Sequence, residues 1–188
     1  MRCALYFGSF NPFHKGHAAI VRYVLESRRA DCVRLVLSPH NPLKEQAGPE
    51  EALRRLHALE EAVGRFNRMW RQEHPQENGR VETSDIEFRL PEPLYTYNTL
   101  KCLQQQEPRT DFVLVIGADN LSIIERWYRW QDLFREFPVW VYPRPGYPAQ
   151  QLCDKYGATC LDAPLYDISS TRIREGLAAG EDMREYLF

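Results

Sequence analysis

A chain of 188 residues with 44% hydrophobic and 27% charged residues has the size and composition of one globular domain and excludes a disordered chain. A formal net charge of −2 argues against a general nucleic-acid binder, which would carry a basic excess. The five cysteines (Cys3, Cys32, Cys102, Cys153 and Cys160) form no C-x-x-C pair and no zinc spacing, which argues against a metal site and a disulfide framework.

The first element is a buried strand, Cys3 to Phe7, and Ala18 to Leu25 has helical apolar periodicity. Between them lies the polar loop Gly8-Ser9-Phe10-Asn11-Pro12-Phe13-His14-Lys15-Gly16-His17. In an open parallel sheet a strand–loop–helix junction of this kind is where ligands bind. The helix start supplies unpaired N–H groups and a positive dipole end, which favour phosphate. Gly8 and Gly16 allow close backbone approach, and His14 and His17 can face one ligand if the helix begins near Gly16. The loop is a candidate nucleoside triphosphate site.

Val33 to Leu37 is the second strand, interrupted by Arg34, and the loop after it carries Lys44, either a phosphate contact or a solvated lysine. Pro49-Glu50-Glu51 opens a long helix whose buried stripe is Ala52, Leu56, Leu59, Val63 and Phe66. Arg65, Arg68 and Arg71 read as its solvated face. Val81 to Phe88 carries a partial strand pattern, and a helix follows Tyr95-Thr96 through Gln106, with Thr96 as its cap or as a ligand contact. Phe112 to Ile116 is the clearest strand, buried on both faces. At its tip Gly117 and Asp119 form a ribose-binding arrangement, with Asp119 also suited to cap the next helical turn. Trp127-Tyr128-Arg129-Trp130 sits in a helical pattern running to Phe137, with at least one ring near the surface. Pro138 to Tyr142 and Cys160-Leu161 are the last strands, and Ser169-Ser170-Thr171 caps a final helix over which Arg174 reaches back. Strands alternating with helices predict an α/β fold, a doubly wound and mainly parallel sheet, as one domain over 1–188.

Gly8 to His17 resembles the (G/S/T)-F-(D/N)-P-x-H-x-G-H loop of the nucleotidyltransferase α/β-phosphodiesterase superfamily. Ile168 to Arg174 resembles its second motif, I-S-S-T-x-I-R. Three further stretches are similar, in order, to bacterial nicotinate-nucleotide adenylyltransferases: Tyr95-Thr96 with Thr99-Leu100, Gly117-Ala118-Asp119 with Trp127-Tyr128, and Arg144-Pro145-Gly146-Tyr147. There are departures: Phe7 replaces the first of two glycines, Asn11 stands where aspartate is common, and Asn41-Pro42-Leu43-Lys44 replaces P-P-H-K, so that only the lysine transfers. The family usually continues through another helix past the position of Phe188.

The resemblance implies a Rossmann-like fold and a reaction joining ATP and nicotinate mononucleotide into deamido-NAD and pyrophosphate. It implies His14, His17 and Arg174 as catalytic residues, with Gly8, Ser9, Phe10, Gly117, Asp119, Arg144, Ser170 and Thr171 completing the ATP site. The acceptor would lie across Lys44, Tyr95, Thr96, Asp119, Trp127 and Tyr128. Mg2+ would ride on the ATP phosphates, since no carboxylate cluster offers a protein cage. The rivals are a superfamily adenylyltransferase with a nicotinamide-mononucleotide or pantetheine-phosphate acceptor, and a non-catalytic nucleotide sensor. An odd thiol count and the lack of any signal or transmembrane run predict a cytoplasmic protein with no membrane or nucleic-acid partner; homo-oligomerisation is left open.

Overall fold

The computed structural model describes residues 1–39 and 48–188, so Lys44 lies outside the described residues. The described elements are, in chain order, β1 (Arg2–Gly8), α1 (Lys15–Glu26), β2 (Cys32–Leu37), α2 (Pro49–Glu73), β3 (Arg80–Ser84), α3 (Thr96–Gln106), β4 (Asp111–Gly117), α4 (Ala118–Ser122), α5 (Trp130–Glu136), β5 (Val139–Tyr142), α6 (Ala149–Tyr156), β6 (Thr159–Cys160) and α7 (Ser170–Ala178). The six strands form one sheet in the order β3-β2-β1-β4-β5-β6, every pair parallel. This is the doubly wound, Rossmann-like order, in which the direction of winding reverses between β1 and β4.

Strand alternation divides the core between the two faces. Ala4 and Tyr6 of β1, with Val113 and Val115 of β4, face the layer containing α1 and α2. Cys3 and Leu5, with Phe112, Leu114 and Ile116, face α3, α4, α5 and α6. Both faces are therefore covered, which explains the unbroken apolar runs of β1 and β4. Arg34 interrupts β2 on the second face and is satisfied there by a pair of carboxylates. Its Nη1 lies 2.6 Å from Glu107 Oε1 and its Nη2 3.1 Å from Glu82 Oε2.

The long helix α2 starts at Pro49 as its sequence predicts, with Ala52, Leu56, Leu59, Val63, Phe66 and Trp70 buried. Four local expectations are corrected. The Val81 to Phe88 pattern divides into β3 and a 3-10 turn, Ile86–Phe88. The helix expected from Trp127 starts only at Trp130, because Arg129 adopts a left-handed φ of 53° and breaks the chain direction. That break sends Trp127 towards the core and leaves Tyr128 exposed. Thr96 does not cap α3; Tyr95 occupies that position and Thr96 is the first helical residue. Asp119 does not cap α4 either, since Gly117 holds the cap position and Asp119 lies in the first turn. The helix α6 was not expected; its end at Gly157, in the left-handed region at φ 72°, is a glycine stop that the sequence does carry. No helix among the described residues is long and apolar enough to cross a membrane.

Candidate active site

The site is assembled at the carboxyl ends of β1, β4 and β5, beside the reversal point of the sheet. Gly8 ends β1, and Gly117 ends β4 directly opposite Tyr142 of β5. Both glycines sit in tight quarters. A Cβ on Gly8 would lie 3.1 Å from the Phe10 ring, and one on Gly117 would lie 2.2 Å from Asp119 Oδ1. Phe10 takes a left-handed φ of 43° and turns its ring under Gly8 into the core. Its side chain serves packing, so only its backbone can meet a ligand; the expectation of an ATP-contacting Phe10 narrows to that.

His14 sits at the N-cap of α1, and His17 lies one turn in. Their rings stack with centroids 3.7 Å apart. Tyr6, Phe10 and Phe13 surround His17, with ring centroids 5.8, 5.2 and 5.5 Å from its own. This apolar enclosure pushes the His17 pKa well below the ordinary imidazole value, and nearby His14 and Arg144 push the same way. Burial, with a contribution from Arg144, lowers His14 to about 4. Both imidazoles are therefore neutral at pH 7. The His14 backbone N–H donates to His17 Nδ1 at 3.3 Å. That bond assigns the single hydrogen of neutral His17 to Nε2, which is left as a fixed donor. His14 Nδ1 is buried and has no hydrogen-bond partner among the described residues.

The second helix start closes on the first. Ser169 caps α7 by accepting from the Arg172 N–H at 3.1 Å. Ser170 Oγ donates to the Pro12 carbonyl at 3.0 Å, and Arg174 Nη1 donates to the Asn11 carbonyl at 2.7 Å. Arg174 Nη2 also reaches Thr171 Oγ1 at 3.2 Å, the backward reach predicted from the helical geometry. Arg172 turns outward to Glu181. A Cβ on Gly16 would meet His14 and Ile168 at 3.0 Å, so glycine is what lets the two helix starts touch. Ser170 and Arg174, with Thr171 bonded to Arg174, are thus brought against the loop that carries Ser9, His14 and His17.

Arg144 bridges towards β4, with Nε 3.7 Å from Asp119 Oδ1 and Nη1 3.5 Å from the Ile168 carbonyl. A cleft beside it is lined by Tyr6, His14, Gly16, His17, Tyr142, Arg144, Pro164 and Tyr166. Sequence reasoning missed Tyr6, Tyr142, Pro164 and Tyr166. In sequence Tyr6 and Tyr142 carry only a strand signal, although both stand near the carboxyl ends of their strands. Their hydroxyls pair at 3.2 Å, and burial raises both pKa values, so both stay protonated. On the expected acceptor side, the rings of Tyr95 and Tyr128 stack at 4.4 Å, while Thr96 and Trp127 are half-buried. No group of three or more metal-ligating side chains occurs among the described residues. The arrangement offers donors, a cationic guanidinium pair and two helix N-termini, which suits binding of a polyphosphate.

Comparison with known proteins agrees. A cytidylyltransferase-like family profile matches residues 5–176. The chain is 37% identical over 188 residues to the "Probable nicotinate-nucleotide adenylyltransferase" of Bacteroides fragilis, covering 99% of this chain and 87% of that protein. It is 34% identical over 189 residues to the protein of the same name from Flavobacterium psychrophilum, covering 100% and 92%. Among solved structures, Plasmodium falciparum nicotinic acid mononucleotide adenylyltransferase complexed with NaAD shares the fold, with a TM-score of 0.78 at 16% identity over 99% of this chain and 90% of that one. The chain therefore belongs to the cytidylyltransferase-like family of nucleotidyltransferases, and within it to the nicotinate-nucleotide adenylyltransferases.

Proposed function

We propose that the chain transfers the adenylyl group of ATP to nicotinate mononucleotide, giving deamido-NAD and pyrophosphate in NAD biosynthesis. The observation that carries this reading is the convergence of α1 and α7. Two helix starts, His14, His17 and Arg174 surround one loop at the reversal point of the sheet.

The acceptor phosphate is already an anionic nucleophile, so the reaction needs no activated serine or cysteine. One of its oxygens attacks the ATP α-phosphorus in line. The new P–O bond forms as the bond to the bridging oxygen breaks, and that oxygen leaves with the electron pair as part of pyrophosphate. The protein's tasks are positioning and charge stabilisation. His17 Nε2–H is assigned to an oxygen of the transferring α-phosphate, with His14 beside it. Ser9, Ser170, Thr171 and Arg174 would hold the β and γ groups. The Arg174 guanidinium would give up or share the Asn11 carbonyl as ATP binds. Mg2+ would arrive with ATP as part of the substrate.

Gly117, Asp119 and Arg144 would line the donor nucleoside, and Asp119 would also face the acceptor. Tyr95, Thr96, Trp127 and Tyr128 are assigned to the acceptor. A nicotinate ring in a mononucleotide is a pyridinium, and aromatic faces attract a cation. Backbone N–H groups at the start of α3 suit its ring carboxylate. The test is a panel of acceptors supplied with ATP, in which nicotinate mononucleotide should outpace nicotinamide mononucleotide and phosphopantetheine in product formation. Preference for either of the other two would overturn the acceptor assignment.

A further inference from the structure

Among the described residues, four polar or charged side chains are buried: His14, Arg55, Glu87 and Thr99. His14 belongs to the site already described. The other three lie on one connected path that begins at the phosphate loop and ends at the start of α3.

Arg55 projects from α2 beneath both loops at the carboxyl edge of the sheet. Its Nη1 donates to the carbonyls of Ser9 at 3.2 Å and Ser38 at 3.1 Å, and its Nη2 donates to the Pro39 carbonyl at 2.7 Å. Ser38 follows β2 and is bonded to β1 through its N–H and the Gly8 carbonyl, at 3.0 Å. The Ser38 hydroxyl lies beside the Glu87 carboxyl and, with Thr99, pulls its pKa down against the burial that raises it. Glu87, in the turn after β3, accepts in addition from Thr99 Oγ1 at 2.9 Å. Thr99 N–H then bonds the Tyr95 carbonyl at 3.2 Å. Tyr95 is the residue whose ring stacks on Tyr128.

Desolvating a guanidinium and a carboxyl is costly, and apolar side chains of similar volume would fill the same space at less cost. What apolar side chains cannot do is fix the direction of the carbonyls of Ser9, Ser38 and Pro39. The path also crosses between the two halves of the site, from the donor loop to the helix assigned to the acceptor.

We propose that Arg55 and Glu87 are positioning residues that lock the phosphate loop and the start of α3 into one unit, so that the two substrates meet in line. This rests on the adenylyl-transfer reading above. The unit is also a mechanical statement about the fold, and that part is measurable without turnover.

The experiment is amide hydrogen exchange on the full chain and on two variants, Glu87→Gln and Arg55→Lys, with kinetics in parallel. Glu87→Gln keeps the shape but turns one of the two acceptor oxygens into an N–H donor, so it cuts the path without emptying the space, and it serves where Arg55→Lys fails to fold. In Glu87→Gln the amides of residues 8–14, at the far end of the path, should exchange faster by on the order of 2- to 30-fold. In Arg55→Lys the same rise is expected at residues 95–99. Each variant should lose about 10- to 100-fold in kcat with both KM values within about 3-fold of the unaltered chain. The double variant should be no worse than the poorer single one, because both cut the same unit. Unchanged exchange at the far end, or losses that multiply in the double variant, overturn the proposal. An inactive unaltered chain whose variants still show the far-end response would overturn adenylyl transfer and leave the locked unit standing.

Discussion

Replacing His17 probes the claim that a neutral imidazole serves the reaction as a hydrogen-bond donor. The ring is caged by Tyr6, Phe10 and Phe13, and its Nδ1 is occupied by the His14 N–H. Only Nε2–H remains to meet a phosphate oxygen. Charge on the α-phosphate group is redistributed in the transition state, so the loss of one preorganised donor should cost about 3 to 4 kcal/mol, or roughly 100- to 1,000-fold in kcat. His17→Ala should show that loss, with the acceptor's KM changed by less than about 3-fold. Alanine also empties part of the aromatic cage, so His17→Gln is the companion variant. Its amide can donate from near the Nε2 position and should recover part of the rate. The assay is pyrophosphate release under saturating substrates, alongside thermal unfolding of each variant. An Ala variant with full kcat refutes the donor role. A wild-type kcat that falls steadily from pH 7 to 8.5 would also refute it, because that signals a charged imidazolium losing its extra proton and not a neutral donor. The depressed pKa of His17 predicts a plateau there.

Three further outcomes follow from the same geometry. Unfolded imidazoles titrate near 6.5 and folded His14 near 4, so the unfolded chain binds more protons between those values. Stability should be full above pH 6.5 and fall towards pH 4, by roughly 3 kcal/mol from His14 alone; denaturant titrations at several pH values in wild type and His14→Gln would show a smaller slope in the variant. Arg174→Ala removes the tie to the Asn11 carbonyl and the cation assigned to the β and γ phosphates. The KM for ATP should rise by about tenfold or more while the acceptor's KM holds, and steady-state kinetics would reveal the opposite pattern if Arg174 faced the acceptor. Gly117→Ala would force a Cβ to within 2.2 Å of Asp119 Oδ1, so Asp119 must move. A loss of up to about 100-fold in kcat/KM with a folded protein is expected, and unaltered kinetics would remove Asp119 from the site.

Much of this was legible in the residues themselves. The unbroken apolar run of β4 required burial on both faces, and the sheet supplies it. The loop from Gly8 to His17 and the hydroxyl-rich start of α7 each announced a helix N-terminus. Their convergence could not be read from spacing, because it depends on contacts 158 and 163 residues apart in sequence. It came instead from resemblance. Arg55 shows the opposite failure, a signal present but unread. It lies three residues after Ala52 and four before Leu59, in phase with the buried stripe of α2, and an arginine in that phase has to find polar partners inside. The aromatic run at 127–130 misled because periodicity cannot show a single left-handed residue such as Arg129. Thr96 and Asp119 each offer a polar side chain suited to a cap, whereas the cap positions fall on Tyr95 and Gly117, one residue before the helices begin.

The most direct test of the central claim is to incubate the purified chain with Mg2+, ATP and nicotinate mononucleotide and follow both products. Adenylyl transfer predicts pyrophosphate and deamido-NAD in equal amounts, with neither formed when the acceptor is omitted. Tight ATP binding without pyrophosphate release, with any mononucleotide or phosphopantetheine acceptor, would contradict it and mark the chain as a nucleotide-binding protein without transfer activity.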